Sequence, residues 1–90
     1  MIHSRAIIGE NCIIGQGITI GGRSKSIDVP VIGNNCYLGA GCRILGDVKL
    51  GDNVIVGPNA VVINSIPNNS IAVGIPAKVI KTNIDPKDFI

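Results

Sequence analysis

Few residues in this chain carry chemistry on their own. The sequence holds one histidine, His3, and three cysteines, Cys12, Cys36 and Cys42. A histidine is the side chain best suited to take a proton from an attacking hydroxyl near neutral pH. Cysteines offer a nucleophile or a set of metal ligands when ionised. Three is an odd number for a disulfide framework, and free thiols are the expectation. The plainer reading of all four residues is structural: His3 an exposed corner residue without a catalytic partner, the cysteines small filling for an interior.

The elements that would position these residues follow from a repeat. Counted in sixes from Ile2, the chain reads IHSRAI, IGENCI, IGQGIT and IGG, then resumes from Ile32 as IGNNCY, LGAGCR, ILGDVK, LGDNVI, VGPNAV and VINSIP. The first position is always a large aliphatic, from Ile2 through Leu38 to Val62, and Gly follows it in seven of ten units. The fifth position is small or apolar throughout and takes all three cysteines, Pro30 and Ile66.

A helix cannot sustain this period. Six residues advance a helix by about 600°, so the apolar stripe would wander around the cylinder. Short extended segments joined by tight turns fit instead, with aliphatics pointing inward and Gly, Asn or Asp at the corners. Three units close a triangular coil of about 18 residues, and stacked coils form parallel ladders. The twelve residues between Ile20 and Ile32 read as one unit with about six residues pushed out as a loop around Arg23-Ser24-Lys25-Ser26. Two degraded units would be the alternative, and would bury Ser24 and Ser26.

Composition bounds the rest. At 90 residues, 46% hydrophobic and only 16% charged, with a mean hydropathy of +0.44, the chain is a single small domain and not a self-solvating one. Gly, Asn or Asp interrupts every apolar run well short of the roughly 18–20 residues of a membrane helix. A net charge of +2, with one Phe and one Tyr, makes nucleic acid a poor partner. Met1 to Arg5 show no charged region followed by an apolar block, so a cytoplasmic location is expected.

Units of the form Ile-Gly-x-x-Ala/Cys/Val-x resemble the hexapeptide-repeat acyltransferases, and three stretches resemble their serine O-acetyltransferase branch in order. These are Gln16 to Gly22, Ile32 to Gly46 with its Leu-Gly-Ala-Gly-Cys-Arg segment, and Ala72 to Ile80. Polysaccharide-modifying acetyltransferases of that branch are similar too, and often carry a segment like Ile2-His3-Ser4. The resemblance implies an all-β, left-handed parallel β-helix over residues 1–80, with an extruded loop at 22–30, a C-terminal cap, and a tail at 81–90. It implies a homotrimer with acetyl-CoA in a groove between subunits, held by backbone amides at corners, and a small-molecule hydroxyl acceptor.

Carried over residue by residue, the cofactor positions are Gly21 and Gly22 beside the loop, Ala40 and Gly41 in one turn, and Pro58 in the next. Pro58 departs from the family's usual Ala and has no N–H to donate. Ile55 stands where many relatives have Lys. Arg23, Lys25, Lys78 and Lys81 are half of the eight Lys and Arg; they would meet the phosphates of CoA or form a solvated basic surface. The family's general base sits in a His-x-x-Gly-Ile-Val-Ile context, whose His position precedes residue 1. The loop His that contacts serine corresponds to Val29, which favours a sugar hydroxyl as acceptor. His3 is then the only candidate base within the chain. The γ-class carbonic anhydrases share this helix but bind zinc through three His, so no metal is expected. The alternative function is a truncated, catalytically silent trimer that binds CoA or a partner.

Overall fold

The computed structural model describes residue 2 and residues 6–21 and 30–84. Eleven short strands are found there: β1 Ile7–Ile8, β2 Ile13–Ile14, β3 Thr19–Gly21, β4 Val31–Ile32, β5 Tyr37–Leu38, β6 Arg43–Leu45, β7 Lys49–Leu50, β8 Ile55–Val56, β9 Val61–Val62, β10 Ile71–Val73 and β11 Lys78–Lys81. They stack into three ladders, parallel except for β11, one for each side of a prism. The first face is β1-β4-β7, the second β2-β5-β8-β10-β11 and the third β3-β6-β9. This is the left-handed parallel β-helix that the hexads imply.

The repeat explains the core directly. First-position residues Ile20, Ile32, Leu38, Ile44, Leu50, Val56 and Val62 are buried, and so are fifth-position residues Ile18, Cys36, Cys42, Val48, Val54 and Ala60. Residues just before the first position point out of the prism and pair with one another between coils, as Tyr37 does with Ile55. Each coil donates backbone N–H groups to the next: Ile13 to Cys36, Tyr37 to Val54 and Ile55 to Ser70, each at 2.9 Å. Ser70 is the one polar side chain buried among the described residues, and its hydroxyl donates to the Asn68 carbonyl at 3.1 Å.

Register reports the insertion. Ile7 pairs with Val31, twenty-four residues on, whereas Val31 pairs with Lys49, eighteen on. The turn from Ile7 to Val31 therefore carries six residues more than the one that follows it, as expected of a single unit with an extruded loop. Pro30 is fully buried, and its carbonyl accepts the Ile7 N–H at 3.2 Å, so it belongs to the coil. The remainder of the loop, 22–29, lies outside the described residues.

Two expectations need correction near the ends. Ile66 does not hold a fifth position: it bridges Leu50, sixteen residues back, which makes it a first-position residue. The corner after Val62 is thus two residues shorter than a full unit, and Ser70 and Ala72 take the next fifth and first positions. Nor are all first-position aliphatics buried. Ile2 is 46% and Ile14 39% exposed, because the first coil has a stacked neighbour on one side only among the described residues. At the other end β11 runs antiparallel to β10 and covers that ladder's edge as far as Lys81. Ile84 then packs once more, its N–H donating to the Asn69 carbonyl at 3.0 Å.

Candidate functional site

Two corners of the prism are built from different chemistry, and the difference creates a site. At the corner between the first and second faces, the position after Gly9, Gly33 and Gly51 is Glu10, Asn34 and Asp52, with Asn68 below. Each N–H there is capped by the side chain one coil further on: Glu10 by Asn34 Oδ1 at 2.8 Å, Asn34 by Asp52 Oδ1 at 2.8 Å, and Asp52 by Asn68 Oδ1 at 2.7 Å. The residues that follow, Asn11, Asn35, Asn53 and Asn69, all adopt positive φ, which Asn tolerates better than other side chains. That corner satisfies itself.

The corner between the second and third faces lacks such a ladder. Its corresponding positions are Gln16, Ala40 and Pro58. Ala40 and Pro58 offer no side-chain oxygen, so nothing of this kind caps the N–H of Gln16 or Ala40 from below. Ala40 uses its carbonyl to accept from Asn59 at 2.9 Å, while its N–H donates to no described residue. An exposed corner N–H with no partner among the described residues is a donor that can serve a ligand carbonyl or anion. Pro58 adds no N–H and contributes shape alone.

Beside this corner lies a groove of about 190 Å³ lined by Gly41, Arg43, Asn59, Val61 and Ile75. Arg43 and Val61 are register partners on the outer side of the third face, and Ile75 reaches over from the turn joining β10 to β11. Gly41 has φ 74°, a conformation that suits glycine, and its N–H is tied to the Gln16 carbonyl at 2.8 Å. The groove thus offers a guanidinium and an apolar wall, and the Ala40 N–H lies one residue before its Gly41 rim.

The structure brings together Ala40, Gly41 and Pro58, stacked on adjacent coils. It places Lys78, opposite Val73, at the end of β11 nearer this corner, and Lys81, opposite Ile71, at the other end. Gly21 is buried in β3, its carbonyl accepting the Gly46 N–H at 2.9 Å. His3, Gly22, Arg23 and Lys25 lie outside the described residues. Arg43, Asn59, Val61, Ile75 and Gln16 escaped the sequence reading. The outward phase of the hexad marks Arg43 as a solvent-facing cation two residues after a corner glycine, whereas Ile75 reaches the groove only through the reversal of the chain.

The thiols split in two. Cys36 and Cys42 are fully buried, and burial pushes each up to about 11. Cys12 is only half-buried, a departure from three shielded thiols that follows from its place in the first coil. No group of three or more His, Cys, Asp and Glu among the described residues is arranged to hold a metal ion. A thiol reagent is expected to label Cys12 promptly in the native protein, and Cys36 and Cys42 only on unfolding; prompt native labelling of Cys36 would contradict the inward phase of the fifth position. A thiol raised by folding stabilises the native state fully below its unfolded value. That contribution is therefore lost as pH rises from about 9 to about 11, and chemical denaturation at pH 8 and pH 10.5 should show the drop.

Comparison with known proteins agrees with this geometry. The model of the bacterial transferase hexapeptide family (six repeats) matches residues 30–64. A serine acetyltransferase solved in complex with cysteine superposes with a TM-score of 0.86 at 34% identity, over 90% of this chain and 34% of the other. The Brucella abortus serine acetyltransferase in complex with coenzyme A gives 0.88 at 32% identity, over 94% and 35%. The Neisseria gonorrhoeae enzyme in complex with serine gives 0.82 at 35% identity, over 87% and 32%. No curated protein sequence matches the chain. The chain belongs to the hexapeptide-repeat acyltransferases, in their serine acetyltransferase-like branch. It spans about a third of the length of the solved relatives.

Proposed function

We propose that this chain is the coenzyme-A-holding part of an O-acetyltransferase that moves an acetyl group from acetyl-CoA to a hydroxyl of a serine or a sugar. The observation that carries the reading is the uncapped Ala40 N–H beside the Arg43 groove, at the corner where the Asn/Asp ladder is replaced by Ala and Pro. A pantetheine arm presents amide carbonyls to such a donor, and the apolar wall of Val61 and Ile75 suits its methylenes. Arg43, with Lys78 nearer this corner than Lys81, supplies positive charge for phosphates. When bound, acetyl-CoA supplies a thioester carbonyl for a hydroxyl to attack. Val29, where serine-specific relatives have a loop His, favours a sugar acceptor.

The groove is smaller than the roughly 300–1,000 Å³ of a complete small-molecule site. A second copy of the chain is the natural source of the missing wall, and a trimer closes with each groove between two subunits. An apolar column supports association: Ile13, Tyr37, Ile55 and Ile71 are successive register partners on the outer side of the second face. Ile13 is 47% and Tyr37 38% exposed in the isolated chain. Sedimentation equilibrium is expected to return three times 9.3 kDa at micromolar concentration. A stable monomer there would remove the two-subunit groove from the reading.

Ala40→Pro isolates the donor. Pro58 already occupies the same corner one coil on, after a glycine as Ala40 is, so the substitution is expected to leave the melting temperature nearly unchanged. Losing one hydrogen bond of about 1 kcal/mol should weaken CoA binding roughly five- to tenfold by calorimetry. Unchanged affinity in a folded Ala40→Pro variant would show that the Ala40 amide does not hold the cofactor. The second reading is a catalytically silent CoA-binding trimer in which His3, the one histidine of these 90 residues, takes no proton.

A further inference from the structure

We propose that Cys12 and Cys36 form a dithiol–disulfide pair, a modification site for low-molecular-weight disulfides that fastens the first coil of the helix to the second. The two residues hold the same corner position in successive coils, since Ile13 and Tyr37, which follow them, are register partners. Their thiols converge on one oxygen: Cys12 Sγ lies 3.3 Å and Cys36 Sγ 3.6 Å from the Gly33 carbonyl. Neighbouring strands about 4.8 Å apart put the two Cα atoms inside the window of roughly 4.4–6.8 Å that a disulfide spans. Cys42 has no such partner, because Ile18 and Ala60 stand above and below it by register.

Exposure orders the two steps. Cys12, half-buried, is the thiol that an external reagent reaches, while Cys36 is fully buried between the coils on either side. The Cys12 thiolate attacks one sulfur of the small disulfide and expels its partner as a thiol. The Cys36 thiolate then attacks the Cys12 sulfur and expels the second half. One S–S bond forms in the protein and one breaks in the reagent. Two electrons pass from protein to reagent, and both cysteine protons end on the released thiols. Burial, which holds the Cys36 thiol protonated up to about 11, makes closure slower than capture.

The test uses the whole chain and excess oxidised glutathione, with acid quenching, alkylation in denaturant, intact mass and peptide mapping. The expected product has lost two hydrogens, carries a Cys12–Cys36 link and has Cys42 alkylated. Cys42→Ala should behave identically, and Cys36→Ala should stop at a glutathione adduct on Cys12. In the linked form, amide exchange at Ile13 and Gly15, whose N–H groups donate to the Cys36 and Leu38 carbonyls, should slow. A glutathione adduct on Cys12 that persists while Cys36 remains alkylatable would overturn the proposal, as would a Cys12–Cys12 link between chains. Because mapping reads the unsubstituted chain, the outcome does not depend on any variant folding.

Discussion

Coenzyme A is expected to bind this chain with an affinity that falls as salt rises, while acetyl transfer to serine or sugars by the same chain stays near the uncatalysed rate. Binding draws on parts that are present: the Ala40 N–H, the Arg43 guanidinium and the apolar wall of Val61 and Ile75. Phosphate contacts by exposed cations are screened within about 10 Å at 0.1 M salt, so the affinity should weaken between low and moderate ionic strength. Arg43→Ala should remove part of both the affinity and the salt dependence. Turnover draws on a part that is not evident. A hydroxyl attacking a thioester needs a base for its proton, a contribution of about 10²–10⁴-fold, and His3 is the only histidine. Calorimetry and a thiol-release assay on the same preparation separate the two. No heat of CoA binding would sink the proposed function. Robust transfer abolished by His3→Ala would instead make His3 the base.

Gly39→Val is expected to collapse the structure more severely than any substitution on the outer faces. A Cβ at Gly39 would stand 2.6 Å from the Pro58 nitrogen and 2.8 Å from the Val56 carbonyl oxygen, both backbone atoms of the next coil. The Gly39 N–H donates to that same carbonyl at 2.9 Å, so the coils cannot separate there without losing the ladder. Overpacking against side chains costs about 1–3 kcal/mol, and backbone yields less than side chains do. A loss of about 3 kcal/mol or more, lowering the melting temperature by at least ~10 °C, is the expected result. Gly21→Ala is the control: its Cβ would meet no atom of the described residues within 4 Å, and a change within about 0.5 kcal/mol is expected. Equal melting temperatures for the two variants would mean that the close approach of the coils at this corner does not limit stability.

Much of the fold was legible because a six-residue period leaves each residue only one radial direction. An aliphatic at every first position and a small residue at every fifth told inside from outside for Ile20, Cys36 or Val56 without any long-range information. The polar run at 23–26 between two intact units identified the insertion, and the twenty-four-residue register from Ile7 to Val31 agrees with six extra residues. The count failed where the period itself changed. After Val62 no composition signal marks a corner shortened by two residues, and Ile66 suits a first position as well as a fifth.

Radial direction says nothing about what lies above or below a residue, and stacking decided the rest. Cys12 and Cys36 share one sequence phase, yet one is half-exposed and the other buried, because among the described residues a coil lies on both sides of Cys36 and on one side of Cys12. The same limit hid the site. Asn34 and Ala40 are both residues after a corner glycine, and only the coil beneath decides that one N–H is capped by Asp52 and the other has no partner among the described residues. Ile75 reaches the groove because β11 turns back along β10, a reversal that sets which face the cap overhangs. Local sequence determined which side chains face in, since extended backbone alternates its side chains; tertiary stacking alone determined which outward groups stay unsatisfied, since hydrogen-bond partners come from the neighbouring coil.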